Sequence, residues 1–253
     1  MLGFNKKPLI MGILNITPDS FSDGGKDFKI EDAINHAEKL IKSGVDILDI
    51  GGESTRPGAL PISKEEELKR IIPVIECISM LNCLISIDTY KSSVAKAALE
   101  AGANIINDVS GLTMDPNMVE VVQDANCPIV IMHNTGVPAT KPENDARHGK
   151  EQGIVQEVSA WLKHQTDYAI SSGIKKENII IDPGIGFGKT LEEDFYIIEN
   201  LKELQFLGYP ILIGPSKKSF IKKLFPDSDI NEKSKEIIDL CIKNGASIAR
   251  IHL

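Results

Sequence analysis

The sequence predicts an α/β fold built as a (β/α)8 TIM barrel. Short apolar runs rich in β-branched residues recur eight times along the 253 residues, and segments with helical periodicity separate most of them. Buried parallel strands take the form of continuous apolar runs. Eight such strands alternating with helices within about 250 residues are typical of this barrel. An open, doubly wound parallel sheet is the alternative architecture.

Turn-forming or polar residues bound each predicted strand. In chain order the strands are LIMGIL (9–14), VDILDI (45–50), LISI (84–87), NII (104–106), PIVIM (128–132), NIIID (178–182), PILIG (210–214) and SIARI (247–251). Representative helices are predicted over residues 31–44, 64–81, 92–102 and 192–204. Helix C-caps favour glycine because they need positive φ, and glycines stand near the ends of helical segments at Gly44, Gly102, Gly173 and Gly245.

No low-complexity linker, charge block or composition break interrupts the chain, so residues 1–253 are predicted to form a single domain. The chain stops at Leu253, directly after the eighth predicted strand. A barrel that lacks its final helix is therefore expected.

The composition excludes some classes of partner. The formal net charge is −8 and the pI about 5.2, whereas proteins that bind nucleic acid or anionic membranes are usually basic. The apolar run from Leu9 to Ile13 is too short to span a membrane, and no cleavage site follows it. The four cysteines show no C-x-x-C spacing and are interpreted as reduced, mostly buried thiols of a cytoplasmic protein.

Polar side chains collect where the predicted strands end, and in a barrel these ends share the rim that carries the chemistry. They are Asn15, Asp49, Asp88, Thr89, Asn107, Asp108, His133, Asn134, Asp182, PSKKS (215–219), Arg250 and His252. The plain alternative is that polar residues mark where strands give way to loops. That alternative explains one or two positions better than it explains the whole set.

The set divides into two chemical groups. Asp88, Asn107 and Asp182 suit a heterocycle with an amidine-like edge, since a carboxylate accepts two parallel N–H bonds. A cationic group suits phosphate or another anion: Arg56, Lys217, Lys218, Arg250 and His252. Two long polar segments, residues 17–25 and 53–59, exceed the usual strand-to-helix turn and are interpreted as lids.

The segment DPGIGFGKT (182–190) ends like a phosphate-binding loop, but Pro183 stands where that motif needs its first glycine. The dinucleotide-binding pattern also fails, because Lys189 occupies its last glycine position. An ATP or NAD site is therefore not predicted. These glycines are expected to allow close approach of the backbone to a flat ligand.

Eight motifs together resemble those of the dihydropteroate synthase family, in the family's order and over nearly the whole chain. They are MGILNITPDSFSDGG (11–25), DIGGESTRPGA (49–59), SIDTYKSSVA (86–95), NIINDVSG (104–111), IVIMHN (129–134), DPGIGFGKT (182–190), GPSKKSFI (214–221) and ARIH (249–252). The resemblance implies a (β/α)8 barrel that condenses 6-hydroxymethyl-7,8-dihydropterin diphosphate with 4-aminobenzoate. The products would be 7,8-dihydropteroate and diphosphate.

The resemblance also implies roles for individual residues. The residues implied to bind the pterin are Asp88, Asn107, Met132, Asp182 and Lys218. Asn15 is implied to help hold Mg²⁺ with the diphosphate. The diphosphate positions are Thr55, Arg56, Arg250 and His252. The 4-aminobenzoate positions are Phe21, Pro57, Phe187 and Ser219. Catalytic roles are implied for Asp88, Asp182, Lys218 and Asp23, the last as a carboxylate that closes over the reacting centre.

No activated nucleophile is needed on the protein, because the arylamine itself attacks and Mg²⁺ with the basic cluster neutralises the leaving diphosphate. The resemblance implies a homodimer, although the family builds its dimer interface in part from the end of the barrel that follows the last strand, where this chain stops. Pro215 and Lys217 also depart from the family pattern.

Two alternatives from other functional classes stay open. A methyltransferase acting on a methylfolate and a corrinoid protein shares the barrel and the pterin pocket, but does not need the diphosphate cluster. A catalytically silent pterin-binding paralogue would bind the pterin without turnover.

Overall fold

The computed structural model of the chain describes residues 7–17, 30–55, 58–136, 153–215, 221, 223 and 225–252. Eight parallel strands form a nearly closed barrel, and helices alternate with them along the chain. The predicted (β/α)8 class is confirmed. The open doubly wound sheet is wrong, because the two outer strands of the sheet meet each other.

The strands coincide with the eight apolar runs of the sequence. They are β1 (Leu9–Asn15), β2 (Ile47–Gly51), β3 (Leu84–Asp88), β4 (Ile105–Asp108), β5 (Ile129–Met132), β6 (Ile179–Asp182), β7 (Leu212–Ile213) and β8 (Ile248–Ile251). The described α-helices are α1 (Ile30–Lys42), α2 (Lys64–Ile78), α3 (Ser92–Ala101), α4 (Met118–Ala125), α5 (Ile154–Ser171), α6 (Leu191–Glu199) and α7 (Ile230–Lys243).

The strand order is β6-β5-β4-β3-β2-β1-β8-β7, and a single bridge between Ile181 and Ile211 joins the outer strands β6 and β7. Strand β7 is shorter than its predicted run, 210–214. Pro210 carries no N–H for a ladder, although its carbonyl accepts the Ile181 N–H at 3.0 Å. The β6–β7 seam is therefore the thinnest joint of the barrel.

The two-residue period of the strands sorts side chains into two layers. One set fills the inside of the barrel and consists of Met11, Ile47, Ile105, Val130, Ile180, Leu212 and Ile248. The alternate strand residues face outward and pack against the helices in a larger core, as Leu48, Ile50 and Ile106 do. The polar strand-end residues inherit the same alternation, which decides whether they point into the barrel or away from it.

Local chemistry sets the helix boundaries. The Ser63 hydroxyl accepts the Glu66 N–H at the start of α2, and Thr190 with Glu193 forms a capping box at the start of α6. The helix predicted over 192–204 is in fact α6 followed by a 3-10 helix, Leu201–Leu207. Asn200 separates them, because its side chain donates to the Tyr196 carbonyl at 2.9 Å. The predicted positive φ is confirmed at Gly44, Gly102, Gly173 and Gly245.

Within the described residues, no helix has the length and apolar character needed to cross a membrane. Each of the four cysteines is a free thiol; Cys127 and Cys241 are buried, Cys83 is half-buried and Cys77 is exposed. Burial raises the pKa of Cys127 to about 11 and that of Cys241 to about 12. Both buried thiols are therefore unreactive at neutral pH.

Candidate active site at the carboxyl ends of the strands

The strand register brings the predicted site residues to one end of the barrel. Asn15 pairs with Gly51, Gly51 with Asp88, and Asp88 with Asn107 across four consecutive strands. On the far side, Met132 of β5 pairs with Asp182 of β6. Asn15 and Asp182, which lie 167 positions apart in the sequence, thus share one rim.

A pocket of about 350 Å³ opens at this rim. Its lining contains the predicted residues Thr55, Asp88, Asn107, Met132, Asp182, Phe187 and Arg250. The sequence reasoning missed three further lining residues, Val109, Ile185 and Gly214. The mixture of apolar walls with a few convergent polar groups is typical of a small-molecule site.

A buried charge network forms the floor of the pocket. The Arg250 guanidinium donates from Nε to Asp49 Oδ2 at 2.6 Å and from Nη2 to Asp88 Oδ2 at 2.7 Å. Asn107 Nδ2 also donates to Asp49 Oδ2, at 3.2 Å. Asp49 has 0% of its surface exposed. One carboxylate inside the barrel therefore orients two residues of the pocket.

Asp49 carries no assigned role in the sequence prediction, which noted it only as a strand-end residue. It stands two residues before Gly51 and shares the inward face of β2 with Ile47. A carboxylate at an inward position of a buried strand needs a partner, because an isolated buried charge is costly. The alternation of side chains along VDILDI (45–50) places Asp49 on the same inward face as Ile47, and this pattern could have identified Asp49 from the sequence.

The network shifts the acidity of its members. Burial raises the pKa of Asp88; Arg250 opposes the rise, and the charge of Asp49 adds to it. Burial alone would lower the pKa of Arg250, but Asp49 and Asp88 outweigh it and raise that pKa. Two carboxylates share one guanidinium, so a second cation or a hydrogen-bond donor from a ligand would be stabilised here.

Asp88 has one oxygen available for such a donor. Its Oδ1 atom is buried and has no hydrogen-bond partner among the described residues, while Oδ2 is bound to Arg250. A buried carboxylate oxygen without a partner is costly to leave in that state. Because Asp88 lines the pocket, an N–H donor of a ligand would satisfy this oxygen.

The segment after β6 is held by a set of internal hydrogen bonds. Asp182 Oδ1 accepts the Gly184 N–H at 2.7 Å, and Asp194 Oδ1 of α6 accepts the Gly186 N–H at 2.8 Å. Lys189 is only 7% exposed, and its ammonium donates to the carbonyls of Gly184 at 2.8 Å and Phe187 at 3.3 Å. These bonds position the pocket wall at Phe187, and the sequence reasoning gave no such role to Lys189 or Asp194.

The glycines of this segment have positive φ. A Cβ on Gly184 would lie 1.9 Å from the His133 carbonyl oxygen, and one on Gly188 would lie 1.6 Å from Thr135 Oγ1. The close approach that these two glycines allow is therefore to the segment after β5. The sequence analysis expected these glycines to let the backbone approach a flat ligand, but the atoms next to Gly184 and Gly188 belong to His133 and Thr135 of the protein itself.

Several polar strand-end residues lie outside the pocket lining, which corrects the expectation of full convergence. Asp108 accepts the N–H groups of Ser110 and Leu112, both at 2.8 Å, and so shapes the turn after β4. The His133 ring packs edge-on against Trp161 of α5, with ring centroids 5.1 Å apart. The outward phase of their strands directs these side chains toward the helices.

Asn15 and His252 lie at the same end of the barrel, outside the pocket lining. Gly51 lies between Asn15 and Asp88 in the sheet, and a Cβ on it would lie 3.5 Å from Asn15 Oδ1 and 3.8 Å from Asp88 Oδ2. His252 is half-buried and follows Arg250 by two residues. Among the described residues no three His, Cys, Asp or Glu side chains cluster as a metal site.

The remaining predicted site residues lie outside the described residues. They are Asp23 and Lys218 of the catalytic set, Arg56 of the diphosphate set, and Phe21, Pro57 and Ser219 of the 4-aminobenzoate set. Lys217, the further member of the cationic group, lies outside as well.

A family model described as pterin binding enzyme matches residues 11–252. The dihydropteroate synthase of Bacillus subtilis (strain 168) is 43% identical over 254 residues, which cover 99% of this chain and 85% of that protein. Both matches extend over the strand ends and the pocket described above.

Solved structures of similar proteins share the fold. A dihydropteroate synthase from Clostridium difficile, determined in the presence of pteroic acid, is 42% identical, has a TM-score of 0.87, and is matched over 99% of this chain and 93% of its own. A Xanthomonas albilineans dihydropteroate synthase with 4-aminobenzoic acid is 40% identical with a TM-score of 0.88, over 97% of this chain and 88% of its own.

Proposed function

The chain belongs to the family of pterin-binding enzymes, and we propose that the pocket at the carboxyl ends of its strands binds the pterin substrate of a dihydropteroate synthase. The chain is a transferase of folate biosynthesis that forms the C–N bond of 7,8-dihydropteroate. It joins 6-hydroxymethyl-7,8-dihydropterin diphosphate to 4-aminobenzoate. The arylamine nitrogen attacks the exocyclic methylene carbon, the bond from that carbon to the diphosphate oxygen breaks, and the nitrogen loses a proton.

The observation that carries the assignment is the convergence of Asp88, Asn107 and Asp182 in one pocket. A pterin presents an amidine-like edge of N–H donors beside a carbonyl acceptor. Carboxylates accept the N–H bonds and an amide can serve both kinds of group. The Oδ1 atom of Asp88, which has no partner in the described part of the chain, is the acceptor best prepared for the ligand.

The apolar part of the lining suits the flat ring system. Met132, Val109 and Ile185 line the pocket beside the polar set. A thioether is adaptable and polarisable and packs well on aromatic rings. We propose Phe187 as part of the neighbouring 4-aminobenzoate site, together with Phe21, Pro57 and Ser219.

We propose that the diphosphate group of the substrate is bound by Thr55, Arg56, Arg250 and His252. Arg250 uses Nε and Nη2 for Asp49 and Asp88, and a guanidinium has five N–H donors. The remaining donors are available to a phosphate oxygen. Developing charge on the leaving diphosphate is then neutralised by a cation that two carboxylates already hold in place, which needs little reorganisation during the reaction.

Enzymes of this family use a divalent metal, and we propose Mg²⁺ bound through Asn15. Mg²⁺ commonly takes one or two oxygen ligands from the protein and the rest from substrate phosphates and water. The Asn15 amide supplies an oxygen of that kind at the rim of the barrel, with β2 between it and Asp88. The metal would supply charge neutralisation for the diphosphate.

The catalytic set is proposed as Asp88, Asp182, Lys218 and Asp23, with Lys218 also contacting the pterin. We further propose that residues 1–253 act as one pterin-binding domain in the cytoplasm. No nucleic acid or membrane partner is indicated by the comparisons. A homodimer is the proposed assembly, and light scattering coupled to size-exclusion chromatography would measure its mass.

The testing experiment measures diphosphate release with Mg²⁺, dihydropterin diphosphate and 4-aminobenzoate. Release should require the arylamine and should fall by about a hundredfold or more in Asp182→Ala and in Lys218→Ala, because each removes a charged hydrogen-bond partner. Lys163→Met, at an exposed lysine of α5, is the control and should keep wild-type activity. Pterin binding without release would favour the silent paralogue, and methyl transfer from a methylfolate would favour the methyltransferase.

A further inference from the structure

A second buried ionic cluster is centred on Glu53 in the β2–α2 connection. Its Oε1 atom accepts the Tyr90 hydroxyl at 2.6 Å. Its Oε2 atom accepts the Lys91 ammonium at 2.6 Å and the Ile62 N–H at 3.0 Å. One carboxylate therefore joins the two ends of the connection, residues 53 and 62, to the segment that precedes α3.

Lys91 extends this cluster to α2. Its ammonium also contacts Glu67 Oε2 at 2.6 Å, and Glu67 is only 1% exposed. Arg70 of the same helix donates to the Gly52 carbonyl at 2.9 Å. The start of the connection is thus fastened both to the first turns of α2 and to the end of β3.

The cluster is charged and well shielded. The side chains of Lys91, Glu53 and Glu67 are 18%, 7% and 1% exposed. Burial acts to raise the pKa of Glu53, but the hydrogen bonds from Lys91 and Tyr90 outweigh it and lower that pKa. Burial acts to lower the pKa of Lys91, and its two carboxylate partners raise it instead. The Glu53–Lys91 ion pair therefore persists at neutral pH.

The position of the cluster relates it to two pocket residues. Glu53 stands two residues before Thr55, and Lys91 stands three residues after Asp88. Both Thr55 and Asp88 line the pocket, whereas neither Glu53 nor Lys91 does. The ion pair is accordingly a short, direct link between the loop that follows β2 and the loop that follows β3.

We propose that Glu53 and Lys91 are positioning residues that hold Thr55 in register with Asp88 and thereby set the affinity of the site for the diphosphate end of the substrate. The proposal rests on the proposed function, in which Thr55 serves the diphosphate and Asp88 the pterin. Asp88 is fixed separately by β3 and by Arg250. Loss of the ion pair should therefore displace Thr55 and leave the pterin end of the site in place.

The test compares two ligands that differ at the diphosphate. Binding of 6-hydroxymethyl-7,8-dihydropterin and of its diphosphate with Mg²⁺ is measured calorimetrically in the wild type, Lys91→Met and Glu53→Gln. The diphosphate ligand should bind about tenfold or more weakly in both variants, since a displaced Thr55 loses a hydrogen bond to a charged ligand group. The Kd of 6-hydroxymethyl-7,8-dihydropterin should stay within about twofold of the wild type, because β3 and Arg250 hold Asp88 independently of the ion pair.

Matched variants separate positioning from stability. Lys91→Arg keeps the cation and should restore most of the diphosphate affinity. Lys163→Met removes a lysine from an exposed ion pair of the same 2.6 Å length on α5 and should change neither Kd. If Lys91→Met fails to fold, the shape-conserving Glu53→Gln decides the question alone.

Two results would overturn the proposal. One is an equal loss of affinity for both ligands, and the other is a lowered melting temperature with both Kd values unchanged, since each indicates a purely structural cluster. Failure of the proposed function has a different signature. In that case the wild type itself would gain no affinity from the diphosphate and would release none in the presence of 4-aminobenzoate.

Discussion

Single residues of the pocket depend on partners from distant strands. Arg250 of β8 is held by Asp49 of β2 and Asp88 of β3, and Asn107 of β4 shares the Asp49 carboxylate. Removing one member of such a buried set leaves the others with unmet charge or hydrogen bonds, which costs more than the bond itself. Asp49 therefore belongs to the site although it does not line the pocket.

The raised pKa of Asp88 predicts that Asp88→Asn lowers activity and also weakens the dependence of stability on pH. Activity should fall about ten- to a hundredfold, because a hydrogen bond to a charged group contributes about 1.5–3 kcal/mol. In the wild type the folded state binds the Asp88 proton more tightly than the unfolded chain. The stability from this group is thus fully present below its unfolded pKa, about 3.9, and is lost as pH rises through the folded pKa.

The side chain of the Asp88→Asn variant does not titrate, so the variant does not lose this stability as the pH rises. Its free energy of unfolding should fall less than that of the wild type between about pH 4 and about pH 7, because burial raises the pKa of Asp88 to about 7 in the folded state. Urea denaturation at several pH values measures both curves. Parallel curves for the two proteins would contradict the assignment of a raised pKa to Asp88.

At the scale of an element, the segment after β6 is shaped by packing as well as by hydrogen bonds. Lys189 and Asp194 hold its carbonyl and N–H groups, and Gly184 lies against the backbone after β5. The segment supplies Ile185 and Phe187 to the pocket. Its shape is therefore a condition for ligand binding.

Two glycines with nearly equal φ allow the effect of contact to be separated from the effect of backbone strain. Gly184 has φ 68° and Gly208 has φ 76°. A Cβ on Gly208 would lie 3.6 Å from the Lys176 ammonium, whereas one on Gly184 would lie 1.9 Å from the His133 carbonyl oxygen. Gly208→Ala should cost about 1–2 kcal/mol from strain alone.

Gly184→Ala should destabilise the protein further, because the backbone of the neighbouring segment must move to admit the methyl group. It should also weaken the binding of 6-hydroxymethylpterin, which Gly208→Ala should leave unchanged. Urea denaturation and calorimetry measure the two effects. If the two substitutions lowered the free energy of unfolding equally, the close contact of Gly184 with His133 would contribute nothing to the cost, which would contradict this prediction.

At the scale of the whole molecule, the barrel is closed unevenly. Strand β2 has five register pairs with each neighbour, whereas β7 has two with β8 and meets β6 through the single bridge at Ile211. Local opening is favoured where few hydrogen bonds hold a segment. The pocket spans this seam, because its lining includes Asp182, the last residue of β6, and Gly214, the residue directly after β7.

Hydrogen exchange should therefore be fastest, among the barrel strands, at the seam. The Ile181 N–H, bonded to the Pro210 carbonyl, should exchange at least about tenfold faster than the amides of β2, consistent with the wide range of local opening energies. A pterin bound in the pocket as proposed would contact both sides of the seam and should slow the exchange of Ile181 more than that of β2. Uniform protection in the free and bound protein would contradict an open seam.

The sequence by itself determined the eight strands, the approximate extent of helices α1, α2 and α3, and seven of the ten residues that line the pocket. These features are local: β-branched apolar runs favour strands, capping residues end helices, and the type of a side chain limits what it can bind. Asp88, Asn107, Asp182 and Arg250 were predicted in this way and do line one pocket. The role of Asp49, the outward direction of His133 and the division of the helix at Asn200 were not predicted.

Only the tertiary structure decided which of these groups meet. The Arg250–Asp49 contact joins residues 201 positions apart, and the Lys91–Glu53 contact joins residues 38 positions apart. Such pairings depend on the register and closure of the barrel, which are set by the packing of all eight strands together. A periodic sequence pattern identifies the inward face of each strand, but the partners across the barrel follow only from the closed sheet.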